Sequence, residues 1–252
     1  MEKSASFFSR ILTFIVKRLG YQYVIIDKSY GVHTSKMPSC QGVYSIHNMG
    51  ELYNPEYDRI LKQAMECDPY NAEDKLRYRV YNILFFQKLT ADVPGDIATC
   101  GVSFGVVPRA IYYSMNKDLK GKKYYLIDPL SGQLTKEDTK KDLKYCYDRD
   151  TVINSFSKDF VFIEKFIPDA ISDINSKLSF LHVNTGDIQA EAKFLSQIDS
   201  FISPGGVIMI DNYGIDQDGF KAYAGFVNSS GYAKLQLPSG QLVLIKNRIT
   251  SR

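Results

Sequence analysis

The feature that most constrains the fold is an alternation of short apolar runs with segments of helical periodicity, which begins near residue 97. Five of the apolar runs are typical of buried strands. They are IATCGV (97–102), KYYLID (123–128), DFVFI (159–163), LSFLHV (178–183) and GVIMID (206–211). The segments between them space their apolar residues as helices do. Strands that alternate with helices predict a parallel sheet with right-handed crossovers.

The C-terminal segment departs from this alternation. YAKLQL (232–237) and QLVLIKN (241–247) are strand-like runs, and the tight turn between them contains Pro238 and Gly240. Two strands joined in this way form an antiparallel hairpin. The sequence therefore predicts an α/β fold in which a seven-stranded mixed sheet carries helices on both faces and ends in an antiparallel hairpin. This arrangement differs from an ordinary dinucleotide-binding fold and is the one that methyltransferases use.

The N-terminal part differs mildly in composition from the rest of the chain, because it is richer in Tyr, Asn and charged residues. We expect residues 1–91 to form a helical or lid segment and residues 92–252 to form the α/β domain. The first residues are predicted to form a short amphipathic helix. Arg10, Lys17 and Arg18 interrupt its apolar run before the ~20 residues of a membrane span are reached. No small-residue cleavage site follows, so neither a membrane anchor nor a signal peptide is expected.

Charge and cysteine usage indicate the compartment and the partner. The net charge of +3 arises from 31 basic and 28 acidic residues without long runs, which argues against a nucleic-acid surface. A small-molecule partner is therefore expected, and the sequence is compatible with a homo-oligomer. The four cysteines are far apart and lack C-x-x-C spacing, which favours a reduced, cytoplasmic location.

Polar residues and glycines follow the ends of the predicted strands. In open α/β sheets ligands bind beyond the carboxyl ends of the strands, near the point where the strand order reverses. The residues at these ends are Gly101, Gly105, Asp128, Asn184, Asp211 and Asn212. Together they predict a ligand pocket along one edge of the sheet.

The first predicted strand runs into a turn that contains Gly101 and Gly105. Such a turn lets a ligand approach the backbone, although an ordinary strand-to-helix turn explains the two glycines equally well. The turn matches neither the G-x-G-x-x-G dinucleotide pattern nor a P-loop, which disfavours NAD and nucleoside triphosphates. Asp128 ends the second strand, where a carboxylate can accept hydrogen bonds from ribose hydroxyls. An Asp before a proline is also a common turn opener.

An oxygen-rich cluster is predicted where the fourth and fifth strands end. Asn184 and Asp187 follow the fourth strand, and Asp211 and Asn212 end the fifth. Their oxygens suit a hard cation such as Mg²⁺, while a hydrogen-bonded cluster that shapes a turn is an equal alternative. His182 lies inside the fourth strand, where a lone histidine is more often a core residue than a base.

About three-fifths of the chain resembles a known family, from residue 92 to residue 246. The segments that carry the resemblance are VPGDIATCGVSFG, YYLIDPLSG, FIEKFIPDAI, FLHVNTGDIQAEAKFL, SPGGVIMIDNYG and GQLVLIKN. In order and spacing they are similar to those of macrocin O-methyltransferase-like enzymes. The resemblance implies a class I methyltransferase with a Rossmann-like fold that depends on S-adenosyl-L-methionine (SAM). It also implies methyl transfer to the hydroxyl of a sugar-containing acceptor, usually with Mg²⁺.

The resemblance assigns roles to individual positions. The glycine turn, with Gly101 and Gly105, would carry the methionine part of SAM, and Asp128 would hold the ribose. Thr99 stands on the cofactor side of this turn. The positions of the metal ligands are Asn184, Asp211 and Asn212.

Several of these positions depart from the family's pattern. The family has Asp where this chain has Asn184 and Asn212, an acid at Gly186 and Glu at Thr99. Asp211 is the carboxylate that remains among the expected metal ligands, so metal binding is expected to be weak or absent.

The loss of the acid at position 184 also affects the expected chemistry. A sugar hydroxyl needs a base or a metal to draw off its proton, and an Asn cannot act as a base. His182 or Asp187 is then the candidate base, with Asp211 as a further catalytic contact. A homologue that binds SAM without transferring a methyl group, in a structural or partner role, is the alternative. An NAD-dependent enzyme is disfavoured by the missing fingerprint.

Overall fold

The computed structural model describes residues 25–27, 31–33, 50–68, 73–129, 153, 156, 160–214 and 217–247. The predicted N-terminal amphipathic helix lies outside these residues. By its internal contacts the chain divides into two compact units. In the first, the described residues form a two-stranded antiparallel sheet of β1 (Ile25–Asp27) and β2 (Gly31–His33). The remaining described residues belong to the second unit.

The second unit is built around a mixed sheet that contains seven strands within the described residues. They are β3 (Asp96–Cys100), β4 (Tyr124–Ile127), β5 (Phe160–Ile163), β6 (Leu178–Val183), β7 (Ile202–Ile210), β8 (Ala233–Gln236) and β9 (Leu242–Ile245). Their order is β5-β4-β3-β6-β7-β9-β8. The first five pair in parallel, and β9 runs antiparallel to both β7 and β8. The predicted mixed sheet with an antiparallel hairpin is confirmed.

Five α-helices of the described residues pack around this sheet. They are α1 (Pro55–Met65), α2 (Glu73–Leu89), α3 (Val106–Ser114), α4 (Ile188–Ile198) and α5 (Gln217–Ser229). Short 3₁₀ helices occur at Gly50–Tyr53, Asp169–Asp173 and Asp199–Phe201. The buried side chains form two clusters, one against α1, α2 and α3 and the other against α4 and α5. The prediction of helices on both faces is therefore confirmed. None of the described helices has the length and apolar character that a membrane crossing needs.

The register of the parallel strands aligns their carboxyl ends. Cys100 of β3 pairs with Ile127 of β4 and with Val183 of β6, which in turn pairs with Ile210 of β7. The next residue of each strand therefore falls in one row at the same edge. That edge, from β4 to β7, is called the carboxyl edge below.

Candidate functional site

Four predicted site residues occupy the first position after their strands at the carboxyl edge: Gly101, Asp128, Asn184 and Asp211. Their backbone N–H groups continue the ladder by donating to the carbonyl of the last residue of a neighbouring strand. The bonds run from Gly101 to Ile127 (2.9 Å), from Asp128 to Ile163 (3.2 Å), from Asn184 to Cys100 (2.8 Å) and from Asp211 to Val183 (3.0 Å). The main chain thus fixes where these side chains start.

The glycine turn between β3 and α3 is shaped by contacts within the fold. Gly101 has φ +85°, and a Cβ at this position would lie 1.9 Å from the carbonyl oxygen of Asn184. Only a residue without a side chain lets the ends of β3 and β6 approach this closely. Gly105 has φ +89° immediately before α3, where a Cβ would lie 3.2 Å from the Phe156 ring.

Asp128 braces the glycine turn from the neighbouring strand. Its Oδ2 accepts hydrogen bonds from the backbone N–H groups of Val102 (2.7 Å) and Ser103 (3.3 Å). The side chain is largely but not fully buried, with 8% of the residue exposed. A carboxylate is therefore held at the carboxyl edge, beside a turn that opens into a helix.

Thr99 points into the core instead of toward the edge. It is fully buried, and its hydroxyl lies 2.8 Å from the hydroxyl of Tyr124 on the adjacent strand. Burial raises the pKa of Tyr124, so the phenol stays neutral and the pair forms an uncharged hydrogen bond. The cofactor-side role expected for Thr99 is untested and remains a prediction.

Asp211 is the centre of a buried hydrogen-bonded cluster. Its Oδ1 accepts from the Gln241 amide at 2.6 Å. Its Oδ2 lies 3.2 Å from the Arg79 guanidinium and accepts from the Asn184 amide at 3.3 Å. The Asn184 oxygen in turn accepts from the Asn212 amide at 2.7 Å. The structure thus brings the three predicted metal positions together, but they bond to one another and to Arg79 and Gln241.

His182 lies beneath this cluster and is fully buried. Its Nε2 is 3.4 Å from Asp211 Oδ2, and neither ring nitrogen has a hydrogen-bond partner among the described residues. Burial acts to raise the pKa of Asp211, but His182, Arg79 and Gln241 together stabilise the carboxylate more. The pKa of Asp211 therefore lies below its ordinary value, and the side chain is ionised near neutral pH.

Asp187 is exposed and caps α4 by accepting a hydrogen bond from the Ala190 N–H at 3.0 Å. Glu191, one turn into the same helix, is fully buried. Its carboxylate accepts from the Thr185 N–H (2.6 Å), the Gly186 N–H (3.1 Å) and the Tyr223 hydroxyl. This buried acid fixes the loop that carries Asp187.

Sequence reasoning missed Arg79, Gln241 and Glu191. The first two meet Asp211 from positions 132 and 30 residues away. Arg79 is one of several charges on a helix, and Gln241 follows a turn, so neither carries a local signal. Glu191 could have been found as an acid at an apolar position of α4.

The residues at the carboxyl edge fit the two groups that the resemblance implies, SAM and Mg²⁺, to different degrees. The Asp128 carboxylate beside the glycine turn suits a ribose, whose hydroxyls are hydrogen-bond donors, so the residues present fit SAM. Magnesium prefers several carboxylates and water. Here the oxygens of Asp211 already accept from Arg79, Asn184 and Gln241, and no group of three or more His, Cys, Asp or Glu within the described residues could hold a metal. The residues present do not fit magnesium.

Comparison with known proteins shows the same architecture. No protein-family model and no curated protein matches the chain. Among solved structures, the O-methyltransferase NovP is 15% identical with a TM-score of 0.54 and covers 68% of this chain and 80% of its own. Calicheamicin methyltransferase CalS11 is 12% identical with a TM-score of 0.52, over 79% of this chain and 94% of its own. An O-methyltransferase family protein from Burkholderia thailandensis is 12% identical with a TM-score of 0.50, and the match covers 97% of this chain and 85% of that protein. With this strand order and these neighbours, the chain has the Rossmann-like fold of class I methyltransferases.

Proposed function

We propose that the protein is a SAM-dependent O-methyltransferase that acts on a hydroxyl of a sugar or glycosylated small molecule. The observation that carries the proposal is the Asp128 carboxylate, which braces the glycine turn at the carboxyl edge of a sheet with the methyltransferase strand order. The name of NovP as an O-methyltransferase supports methyl transfer to oxygen, and the name of CalS11 as a calicheamicin methyltransferase supports a small-molecule acceptor. The sugar rests on the resemblance to macrocin O-methyltransferase-like enzymes.

In this proposal the chain's residues bind and orient both reactants. When bound, SAM supplies a methyl group on a positively charged sulfur. Asp128 accepts hydrogen bonds from the ribose hydroxyls, and the turn at Gly101 and Gly105 presents its backbone to the methionine part. Holding two reactants in line contributes most of the rate, because it removes the entropy cost of their encounter.

The acceptor's proton needs a base, and the geometry ranks the predicted candidates. A general base must lie within hydrogen-bond reach of the proton that it takes. Asp187 is exposed just beyond the end of β6, whereas His182, within β6, and Asp211, at the end of β7, are both buried. We therefore assign the base to Asp187, and Asp211 and His182 remain buried catalytic candidates that do not reach the surface.

A direct test is methyl transfer from SAM that carries a labelled methyl group. The purified protein is incubated with a panel of glycosides and the matching aglycones, and the products are identified by mass spectrometry. Label in the sugar of a glycoside, and not in the aglycone, is the expected result. If neither the glycosides nor the aglycones carry label, even at high protein concentration, the proposal is contradicted.

The second candidate is a homologue that binds SAM but does not transfer its methyl group. It is favoured by the hydrogen-bonded cluster around Asp211. In this cluster Asn184 and Asn212 stand where the family has acids, and Arg79 contacts Asp211. Calorimetry and the labelling test together separate the two candidates, because this homologue would bind SAM in the calorimeter and yet leave every acceptor unlabelled. The reduced, cytoplasmic location is likewise a proposal, which rests on the cysteine spacing.

A further inference from the structure

The end of β7 holds a carboxylate that is already neutralised. Only 1% of Asp211 is exposed, and the Arg79 guanidinium lies 3.2 Å from its Oδ2. The same guanidinium also contacts the main-chain oxygen of Asp211 at 3.4 Å. One guanidinium nitrogen thus already contacts two oxygens of Asp211 that a metal could otherwise bind.

The cluster also fixes the backbone that carries Arg79. The Gln241 amide donates both to Asp211 Oδ1 (2.6 Å) and to the carbonyl of Arg79 (3.3 Å). The Gln241 oxygen accepts from Asn82 (3.0 Å), one turn further along α2, and from Ser239 (2.7 Å). These bonds join α2 to the β8–β9 turn and to β7. Arg79 is therefore held against Asp211 by an arrangement that spans three elements.

The two amides at the edge complete the arrangement. Asn184 donates to Asp211 Oδ2 at 3.3 Å and accepts from Asn212 at 2.7 Å. Acids at these positions would leave one guanidinium among three carboxylates. With amides, Asp211 is the one carboxylate among these three positions, and it lies beside the Arg79 guanidinium, so its buried charge is paired, as buried charges require.

We propose that the Arg79 guanidinium permanently replaces a divalent cation at the carboxyl edge, so that this edge excludes Mg²⁺ and orients Asp211 without metal. Magnesium coordinates oxygen at about 2.0–2.1 Å, and at Asp211 it would collide with the guanidinium and meet a like charge. Arg79 is a positioning residue in this scheme. The proposal concerns only which cation contacts Asp211 at the carboxyl edge. It therefore stands whether or not the protein transfers methyl groups.

Metal binding by the folded protein is the first test, and it needs neither SAM nor an acceptor. Mn²⁺, which shares the oxygen preference of Mg²⁺, is titrated into the wild type and N184D/N212D and followed by electron paramagnetic resonance. Melting temperatures are measured with Mg²⁺ and with chelator. We expect no bound Mn²⁺ and no metal-dependent shift in either protein, because both retain Arg79. Stoichiometric Mn²⁺ in either one, or a lower melting temperature after chelation, overturns the proposal.

The second test removes the guanidinium. R79A/N184D/N212D should bind Mn²⁺ measurably, about tenfold or more tightly than the weakest affinity that the titration of N184D/N212D can detect, because a like charge has gone from a partly buried site. Bound metal should also raise its melting temperature, since it stabilises the native state by mass action. The matched control is R59A/N184D/N212D, which loses an exposed arginine of α1. No gain with R79A, or an equal gain with R59A, contradicts the proposal. If the R79A variant fails to fold, the first test decides alone.

Discussion

At the scale of single residues, the fold itself explains much of what the sequence offers as a binding motif. Gly101 was predicted to let a ligand approach the backbone, and that role stays a prediction. The structure shows a second reason for the glycine, because a Cβ there would lie 1.9 Å from the Asn184 carbonyl oxygen. Asp128 has a comparable structural task, because it holds the N–H groups of Val102 and Ser103. A residue can serve both the fold and a ligand, so the two tasks must be separated by substitution.

Gly101→Ala separates the effect of positive φ from the effect of close contact. An alanine with positive φ costs about 1–2 kcal/mol, and overpacking against the Asn184 carbonyl adds about 1–3 kcal/mol or more. Gly121→Ala is the matched control, because Gly121 has φ +76° but nothing within 4 Å of the added Cβ. Urea unfolding should show a clearly larger loss of unfolding free energy for Gly101→Ala. Equal losses would show that the close approach does not matter.

Asp128→Ala tests the ribose contact. The loss of hydrogen bonds to a carboxylate costs about 1.5–3 kcal/mol, which weakens SAM binding by roughly tenfold to a hundredfold. Asp92→Ala, at an exposed position before β3, is the matched control and should leave the affinity unchanged. Titration calorimetry measures both affinities, and thermal melts show whether the glycine turn survives. An unaltered affinity in folded Asp128→Ala would reject the assignment.

At the scale of the elements, the loop between β6 and α4 depends on one buried acid. Glu191 accepts from two backbone N–H groups of this loop and from the Tyr223 hydroxyl of α5. Burial and the adjacent carboxylate raise the pKa of Tyr223, so the phenol remains a donor. The contact therefore joins two helices and a loop on one face of the sheet.

Glu191→Gln keeps the volume of the side chain but removes its charge. We expect it to lower the unfolding free energy by about 1.5–3 kcal/mol, because charge-assisted hydrogen bonds become neutral ones. In a double-mutant cycle with Tyr223→Phe, the coupling should reach about 0.5–3 kcal/mol. Glu56→Gln, at an exposed position of α1, serves as the control. Additive effects of Glu191→Gln and Tyr223→Phe would mean that the two side chains do not act together.

A strand or helix could be predicted from the sequence where its own residues carry the pattern, and not where distant partners define it. β6 was predicted at its observed bounds, because its six residues are all buried and four of them are apolar, with Ser179 and His182 as the polar exceptions. β7 was predicted to start at residue 206 because Pro204 and Gly205 resemble a strand breaker. In the structure it begins at Ile202. There the Gly205 N–H pairs with the Lys246 carbonyl at 2.8 Å, a partner more than 40 residues away. The Arg79–Asp211 contact spans still more of the chain, and no local pattern encodes it.

At the scale of the whole molecule, buried ion pairs connect stability to pH. Breaking a buried pair leaves an uncompensated charge, and the cost is about 3–5 kcal/mol. Asp211, at the end of β7, pairs with Arg79, and Gln241 links both residues to the β8–β9 turn. Protonation of Asp211 is therefore expected to weaken the packing of the N-terminal helices on the sheet.

The last prediction concerns unfolding in acid. The pKa of Asp211 lies below its ordinary value of 3.8 in the folded protein, so the unfolded chain takes up the proton at a higher pH. The stabilisation by this carboxylate is thus complete well above pH 3.8 and is lost as the pH falls through the lower, folded-state pKa. Asp211→Asn should cost about 3–5 kcal/mol near neutral pH, and the gap to the wild type should narrow progressively below about pH 4. Urea unfolding over a pH series measures both curves, with the exposed Asp92→Asn as a control that should stay close to the wild type at every pH. A constant gap between the Asp211→Asn and wild-type curves would show that Asp211 titrates alike in both states, and the carboxylate could then not be the stabilised partner of Arg79.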